Sequence, residues 1–300
     1  MKLLIQPDDG IAALLAAIAK ARTSIEIAVF RFDRDDLERA LHAAVERGVA
    51  VHALIAHTNH GGAARLRELE QRLLAAGATV DRTGNAFVRY HGKFTIVDRR
   101  TLLVLGFNYT LADIMKSRSF GIVTKDRKTV QDAIALFEAD CARHPYTPGG
   151  ALIVSPENAR AQLCAFIGGA KTQLLIYDPK VSDSRVLRLL KARAAAGVDV
   201  RIIGKVSSRG TDLVHQKYPG HRLHVRAIIR DGRHAFIGSQ SLRRLELDRR
   251  REVGVFVREA AVVKRLIATF EADWALTGLG RERRAEAAAA VEAAATAPAA

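Results

Sequence analysis

Cysteine is almost absent from this 300-residue chain. Only Cys141 and Cys164 occur, too few for a disulfide framework, and neither has a second Cys or a His at metal-ligand spacing. The expectation is a reducing compartment and two thiols packed as small hydrophobes. Long apolar runs are missing as well. The longest, Ile11 to Ala19, falls far short of the roughly 20 residues a spanning helix requires. The opening Met1-Lys2-Leu3-Leu4-Ile5-Gln6-Pro7-Asp8-Asp9 turns acidic too soon for a secretory signal. The expected location is therefore cytoplasmic, with room for peripheral contact at an inner membrane. Nucleotide and metal signatures are lacking too: there is no G-x-x-x-x-G-K-[ST], no H-E-x-x-H and no Cys/His knuckle. Gly61-Gly62 and Ser207-Ser208-Arg209-Gly210 read as turns, and His57, His60, His215, His221 and His234 suggest no metal site.

Acidic residues are in short supply, with 32 Asp and Glu against 47 Lys and Arg, a net charge of +15. That balance favours nucleic acid, an anionic lipid surface or phosphorylated small molecules as partners; plain solubility is the bland alternative. The 49% hydrophobic content suffices for one large domain or two ordinary ones. Only the end of the chain looks irregular. From about Gly280, Arg281-Glu282-Arg283-Arg284 leads into an Ala-rich run, read as a tail over 279–300, a frayed helix or disordered.

What is present, twice, is one plan. Ile5-Gln6-Pro7-Asp8-Asp9 matches Val154-Ser155-Pro156-Glu157-Asn158 at an offset of 149 residues. Helices are predicted over Ile11–Ala21 and Ala159–Ala170, then strands over Thr23–Val29 and Thr172–Tyr177. Helices over Asp35–Arg47 and Ser184–Ala196 each close on a glycine, Gly48 or Gly197. Strands Val49–Ile55 and Val198–Ile203 follow. The offset then falls to 133, because the first half carries 16 extra residues, including a predicted helix over Ala63–Ala76 where the second half has the loop Ser207–Gly220. Phe137-Glu138-Ala139-Asp140 and Phe270-Glu271-Ala272-Asp273 keep the new register. The alternation implies two α/β halves, 1–146 and 151–278, each with a largely parallel, helix-covered sheet, joined through Arg143–Gly150.

Within that register lie His91-Gly92-Lys93-Phe94-Thr95-Ile96-Val97-Asp98 and His224-Val225-Arg226-Ala227-Ile228-Ile229-Arg230-Asp231, both H-x-[KR]-x4-D. On a strand, His91 and Lys93 would face the same way, as would His224 and Arg226. Neutral imidazole attacks phosphorus, and protonated imidazole protonates a leaving alkoxide. Lys93, Arg226, Asn108 and Ser241 are the residue types that stabilise charge on nonbridging oxygens. Asp98 and Asp231 fall on the opposite face and read as structural, bonding nearby backbone or side chains.

These paired motifs, with the turns Gly106-Phe107-Asn108 and Gly238-Ser239-Gln240-Ser241, resemble the phospholipase D superfamily from about Met1 to Leu276. The resemblance implies two fused α/β/α-sandwich halves with pseudo-twofold symmetry and one active site at their interface. It implies a phosphodiesterase or phosphatidyltransferase that needs no metal or cofactor and acts through a phosphohistidine. It also implies a carboxylate 28 residues beyond each His, which falls on Glu252 for His224 and on Ser119 for His91. The first half thus lacks its carboxylate. With Glu252 raising the pKa of His224, the expected roles are His91 as nucleophile and His224 as general acid. Arg226 is bulkier than Lys and cannot give up its proton, and Ser241 reaches less far than Asn. Arg243, Arg244, Arg249 and Arg250 form either a solvated charged loop or a docking patch near the site mouth. Phospholipid is the first substrate expectation. A nuclease of the same superfamily and a degenerate phosphate-binding protein on DNA or membrane are the alternatives, and a monomer is expected.

Overall fold

A computed structural model describes residues 1–57, 63–207 and 212–296. The turn expected at Gly61-Gly62, His60, and most of the turn at Ser208-Arg209-Gly210 lie outside the described residues.

Among the described residues there are two eight-stranded sheets. The first runs in the order Lys2–Gln6, Ser117–Thr124, Thr101–Leu105, Phe94–Val97, Ser24–Val29, Ala50–Ile55, Thr79–Arg82. The second runs His215–Gln216, Asp199–Val206, Gln173–Val181, Ala227–Arg230, His234–Gly238, Arg250–Val257, with Leu152–Ser155 also on Arg250–Val257. Both sheets are mixed, which corrects the largely parallel arrangement expected from the sequence. In the first half, only the Ser24–Val29, Ala50–Ile55 and Thr79–Arg82 strands are joined in parallel, because only they are linked by crossover helices. The hairpin after His91 and the strands beyond it pair antiparallel.

Each sheet borrows its eighth strand from the other half. Arg89–Tyr90 pairs in parallel with Arg250–Arg251, and Arg222–Leu223 pairs in parallel with Ser117–Arg118. The exchange follows the 133-residue register, since 89 and 222 are equivalent positions. It carries the chain across the interface just before each histidine.

The strands are buried on both faces. Leu4, Ile25, Ile27 and Val29 pack outward under Leu14, Ile18, Leu37 and Leu41 of the helices Ala12–Ala19 and Asp35–Glu46. Leu3, Ile5, Ala28 and Phe30 face inward, into a core that also takes Leu175, Tyr177 and Ile203 from the second sheet. The helices Arg127–Ala142 and Ala260–Ala275 lie in this shared core through Phe137, Phe270 and Trp274. Period-two burial on both faces gives near-continuous apolar runs. The second half repeats the outer layer with Ile176, Ile202, Leu163 and Leu187.

Two ion pairs cross the same interface symmetrically. Arg118 bonds Asp273 at 3.0 Å, and Arg251 bonds Asp140 at 2.9 Å. The repeated Phe-Glu-Ala-Asp segments therefore serve each other's halves. Arg251 is almost fully buried, so its pairing with Asp140 and Glu157 is what makes a charge tolerable there. The Ala-rich end is helical over Gly278–Thr296, and no described helix is long and apolar enough to cross a membrane.

Candidate active site

The histidines do not sit within strands, as the sequence suggested. His91 to Lys93 connect Arg89–Tyr90, on the foreign sheet, to Phe94–Val97, on the chain's own sheet. His224 to Arg226 make the equivalent crossing. The backbone N–H of His91 donates to the Arg251 carbonyl (2.7 Å), and that of His224 to the Arg118 carbonyl (3.0 Å). The motif cations also brace these crossings. Lys93 Nζ donates to the His91 carbonyl at 2.7 Å, and an Arg226 guanidinium nitrogen donates to the His224 carbonyl at 2.9 Å. Arg226 thus reproduces the bond Lys93 makes.

Just beyond each strand, Asp98 and Asp231 are bonded in identical fashion. Asp98 accepts from the backbone N–H groups of Arg22, Thr23 and Ser24. Asp231 accepts from those of Lys171, Thr172 and Gln173. Both adopt φ of +52°, a left-handed conformation that Asp tolerates. Each side chain ties the start of one strand to the end of its neighbour and so fixes where the preceding histidine falls. At the far end of the first hairpin, Gly106 lets the halves approach. A Cβ on Gly106 would lie 2.8 Å from the Phe120 carbonyl oxygen and 3.1 Å from that of Gly238. Ser239 donates its backbone N–H to the Val253 carbonyl (3.0 Å), and its hydroxyl accepts from the Val253 N–H (3.1 Å), locking the strand that carries Glu252.

The carboxylates are where sequence reasoning went astray. Glu252 does not hold His224; its Oε2 lies 2.7 Å from Nδ1 of His91, in the other half. The reason is the strand exchange. Arg250–Arg251 pairs with Arg89–Tyr90, so the residue after Arg251 meets the residue after Tyr90. Ser119, at the equivalent place, correspondingly reaches His224, but donates its hydroxyl to that residue's carbonyl (3.3 Å). The carboxylate beside His224 comes instead from Asp113, on the helix Leu111–Met115, with Oδ2 3.4 Å from Nδ1. Both histidines therefore have a carboxylate, each supplied across the interface. Spacing within one half gives no hint of Asp113.

Asn108 and Ser241 also differ from expectation. Asn108 donates its backbone N–H (3.0 Å) and Nδ2 (2.6 Å) to Asp113, holding that carboxylate toward His224. Ser241 gives its one hydroxyl proton to Asp178 at 2.5 Å, so it secures its turn instead of facing a phosphate. Arg243 and Arg250 both bond the buried Glu246, whereas Arg244 and Arg249 are exposed. Arg250 also stands 3.9 Å from Glu252, which makes it a cation of the site. Further cations gather on Phe30. Arg31 and Arg89 each lie 5.6 Å, and Lys93 5.1 Å, from its ring centroid, and its ring meets His91 edge-on at 4.7 Å.

Burial and charge set the protonation states. Both imidazoles are pushed well below their ordinary pKa, first by burial and then by neighbouring cations: Lys93, Arg226, Arg250 and Arg89 for His91, Arg226, Lys93 and Arg222 for His224. Lys93 is likewise pushed well down by burial, against the pull of Glu252. Burial lifts Glu252 to about 7 despite Lys93, Ser239 and Arg226. Burial also raises Asp113, but His224, Asn108 and Arg222 outweigh it and bring the carboxyl to about 2. The two carboxylates are thus unequal, one titrating near neutrality and the other firmly anionic. Both imidazoles are thus neutral in the free site, held by carboxylates and surrounded by cations; one can attack phosphorus as it stands, and the other must first take up a proton before it can pass one to a leaving group.

Comparison with known proteins agrees with this arrangement. A family model described as "Cardiolipin synthase, PLD-like domain" matches residues 14–141 and 163–274. A mitochondrial cardiolipin hydrolase of Danio rerio is 29% identical over 130 residues, 42% of this chain and 56% of that protein. The chain spans about half the length of the curated relatives it matches. Among solved structures, a polyphosphate kinase of Porphyromonas gingivalis superposes over 90% of this chain and 46% of its own, with a TM-score of 0.73 and 18% identity. A phosphatidylserine synthase of Haemophilus influenzae covers 91% of this chain and 84% of its own, with a TM-score of 0.67 and 11% identity. At those identities the two structures speak to the fold alone.

Proposed function

The chain belongs to the phospholipase D superfamily, and from that premise we propose a metal-independent phosphodiesterase or phosphatidyltransferase that works on phospholipids through a phosphohistidine. The observation that carries this reading is the pair of interface-crossing couples, His91 with Glu252 and His224 with Asp113. In the first step, Nε2 of His91 attacks phosphorus while its Nδ1–H is held by Glu252, which leaves the Nε2 lone pair free. The entering anionic phosphodiester offsets the cations that hold His224 neutral, so that with Asp113 beside it His224 takes up a proton and gives that Nε2 proton to the leaving alkoxide. In the second step, neutral His224 takes a proton from water or an alcohol, whose oxygen attacks phosphorus and releases His91. Arg226, Lys93, Arg250 and Arg89 supply positive charge for the nonbridging oxygens. The roles of the two histidines stay as the sequence suggested, but Asp113, not Glu252, underlies the acid.

Phospholipid is favoured by the family model, which is named for cardiolipin synthase, and by the cardiolipin hydrolase relative. Two departures from the family pattern are compensated in this reading. Arg226 makes the bond of Lys93, and Asp113 stands where the Ser119 half lacked a carboxylate. One observation favours nucleic acid as a second reading. A cavity of about 620 Å³ lined by Lys205, Lys217, Arg222 and Arg281 adjoins the site, with Arg222 bonded to Asp113 at 2.6 Å. The test is incubation in EDTA with cardiolipin or phosphatidylglycerol vesicles, single- and double-stranded DNA, and an aryl phosphodiester. Lipid turnover lost in His91→Ala is the expected result. Oligonucleotide cleavage without lipid turnover replaces the substrate class, and salt-sensitive binding with no product in any arm overturns the enzymatic reading.

A further inference from the structure

At the edge of the first sheet, on the face that carries the helix Arg127–Ala142, three side chains with metal-binding atoms converge. His52 lies on the strand Ala50–Ile55, Asp81 on the edge strand Thr79–Arg82, and Cys141 in the last turn of the helix Arg127–Ala142. Nε2 of His52 is 2.7 Å from Oδ2 of Asp81 and 3.8 Å from Sγ of Cys141, and all three ligand atoms lie within 4.8 Å of one another. The sequence offered no sign of this, because the three residues are far apart in the chain.

We propose that His52, Asp81 and Cys141 form a structural zinc site, with water as the fourth ligand. The donor set of imidazole nitrogen, carboxylate oxygen and thiolate sulfur suits a borderline cation such as Zn2+ rather than Mg2+ or Ca2+. Bond lengths of about 2.0–2.3 Å place tetrahedral ligands about 3.3–3.8 Å apart. The nitrogen–sulfur distance already meets that, and the half-exposed Asp81 on an edge strand is free to open its hydrogen bond by the roughly 0.6 Å required. The surroundings favour a cation. Burial raises the Cys141 thiol, and the charges of Asp81, Asp140 and Glu138 raise it further. Glu138 and Asp140 are offset by Arg99 and Arg251, which leaves Asp81 as the main anion beside the thiol. Metal entry replaces the thiol proton, so loading releases that proton.

The second half shows what the position does without a metal. There the equivalents of His52 and Cys141 are Arg201 and Trp274, and the Arg201 guanidinium packs 5.6 Å from the Trp274 ring. Arg201 also lies over Phe270 (5.7 Å), as His52 meets Phe137 (5.0 Å). A cation–π contact pins helix to sheet in one half; three ligands occupy the same place in the other. A bound zinc would pin the end of Arg127–Ala142 to the sheet edge, just before the joint that leads into the second half. It would take no part in the phosphodiester chemistry.

The test uses tag-free full-length protein, stripped with EDTA, exchanged into clean buffer and kept reduced with a phosphine. Cobalt(II) titration is expected to give a thiolate-to-cobalt charge-transfer band with tetrahedral visible bands, saturating at one equivalent. The band disappears in Cys141→Ser and persists in Cys164→Ser. Zinc competition against a chromophoric chelator is expected to show at least tenfold weaker binding in Asp81→Asn, an edge substitution that leaves the core intact. Zinc raises the melting temperature of the parent protein and not of Asp81→Asn. Absence of the charge-transfer band in the parent protein, or its survival in Cys141→Ser, overturns the proposal. Phosphodiesterase activity in EDTA reports on the other site and separates the two failures.

Discussion

Nδ1 of His91 lies 2.7 Å from Oε2 of Glu252, although 161 residues separate them in the chain. The contact follows from the exchanged strands, which place residue 91 beside residue 252 as directly as adjacent strands place any register neighbours. Its counterpart, His224 with Asp113, is longer at 3.4 Å and draws on a different element.

The first prediction concerns which carboxylates matter. Glu252→Gln and Asp113→Asn should each lower kcat by roughly 10²-fold or more, the scale of a positioned acid–base partner. Ser119→Ala should stay within a few fold, since Ser119 touches only the His224 backbone carbonyl. A large loss in Ser119→Ala with a mild one in Asp113→Asn would reverse the assignment.

A second prediction is a pH limb. Glu252, raised to about 7, carries its proton below that pH and is anionic above it. Only the anion accepts fully from His91 Nδ1–H, so kcat/KM should climb as pH rises through about 7. In Glu252→Gln that limb should vanish, leaving a flat and lower profile between pH 6 and 8. An unchanged limb in the variant assigns it to another group.

Asp98 and Asp231 should be stability residues. Each carboxylate accepts three backbone N–H bonds, so Asp98→Ala or Asp231→Ala should cost about 2–4 kcal/mol at pH 7. Burial raises both groups, but those hydrogen bonds outweigh it and hold both below the ordinary carboxylate range. The folded state thus sheds the proton more readily than the unfolded one. The contribution is present above the unfolded pKa, near 3.8, and is lost as pH falls through the folded value. Urea midpoints of parent and variant should therefore converge in acid. A gap that persists at low pH contradicts the electrostatic account.

The buried pair of Arg251 with Asp140 should behave asymmetrically. Asp140→Ala leaves a buried guanidinium with only Glu157 and should cost about 3–5 kcal/mol. Adding Arg251→Met should recover part of that loss, because the stranded charge is gone. Strict additivity in the double-mutant cycle would mean that the two residues do not couple.

Much of this architecture was legible beforehand. The 149- and 133-residue offsets fixed the duplication, whereas the strand parity used for Asp98 and Asp231 assumed a strand that begins only after each histidine. Three features were hidden for physical reasons. Strand exchange is a tertiary event, so counting 28 residues onward assigned Glu252 to the wrong histidine. Asp113 lies on a five-residue helix and Asp178 on the strand Gln173–Val181, and no sequence periodicity links either to the side chain it meets. The His52, Asp81 and Cys141 cluster joins two strands and a helix, where only the fold sets the distances. Parallel pairing was over-predicted, because hairpins beyond the crossover helices repeat no helical pattern.

The most direct test of the central claim is to trap the covalent intermediate. The parent protein and the His91→Ala and His224→Ala variants are mixed with a phosphodiester bearing a good leaving group, quenched in base, and mapped by peptide mass spectrometry. The account predicts an adduct on His91 in the parent protein and in His224→Ala, where a good leaving group needs no acid but hydrolysis of the adduct stalls. His91→Ala should carry none. An adduct on His224 in the His91→Ala protein would contradict it.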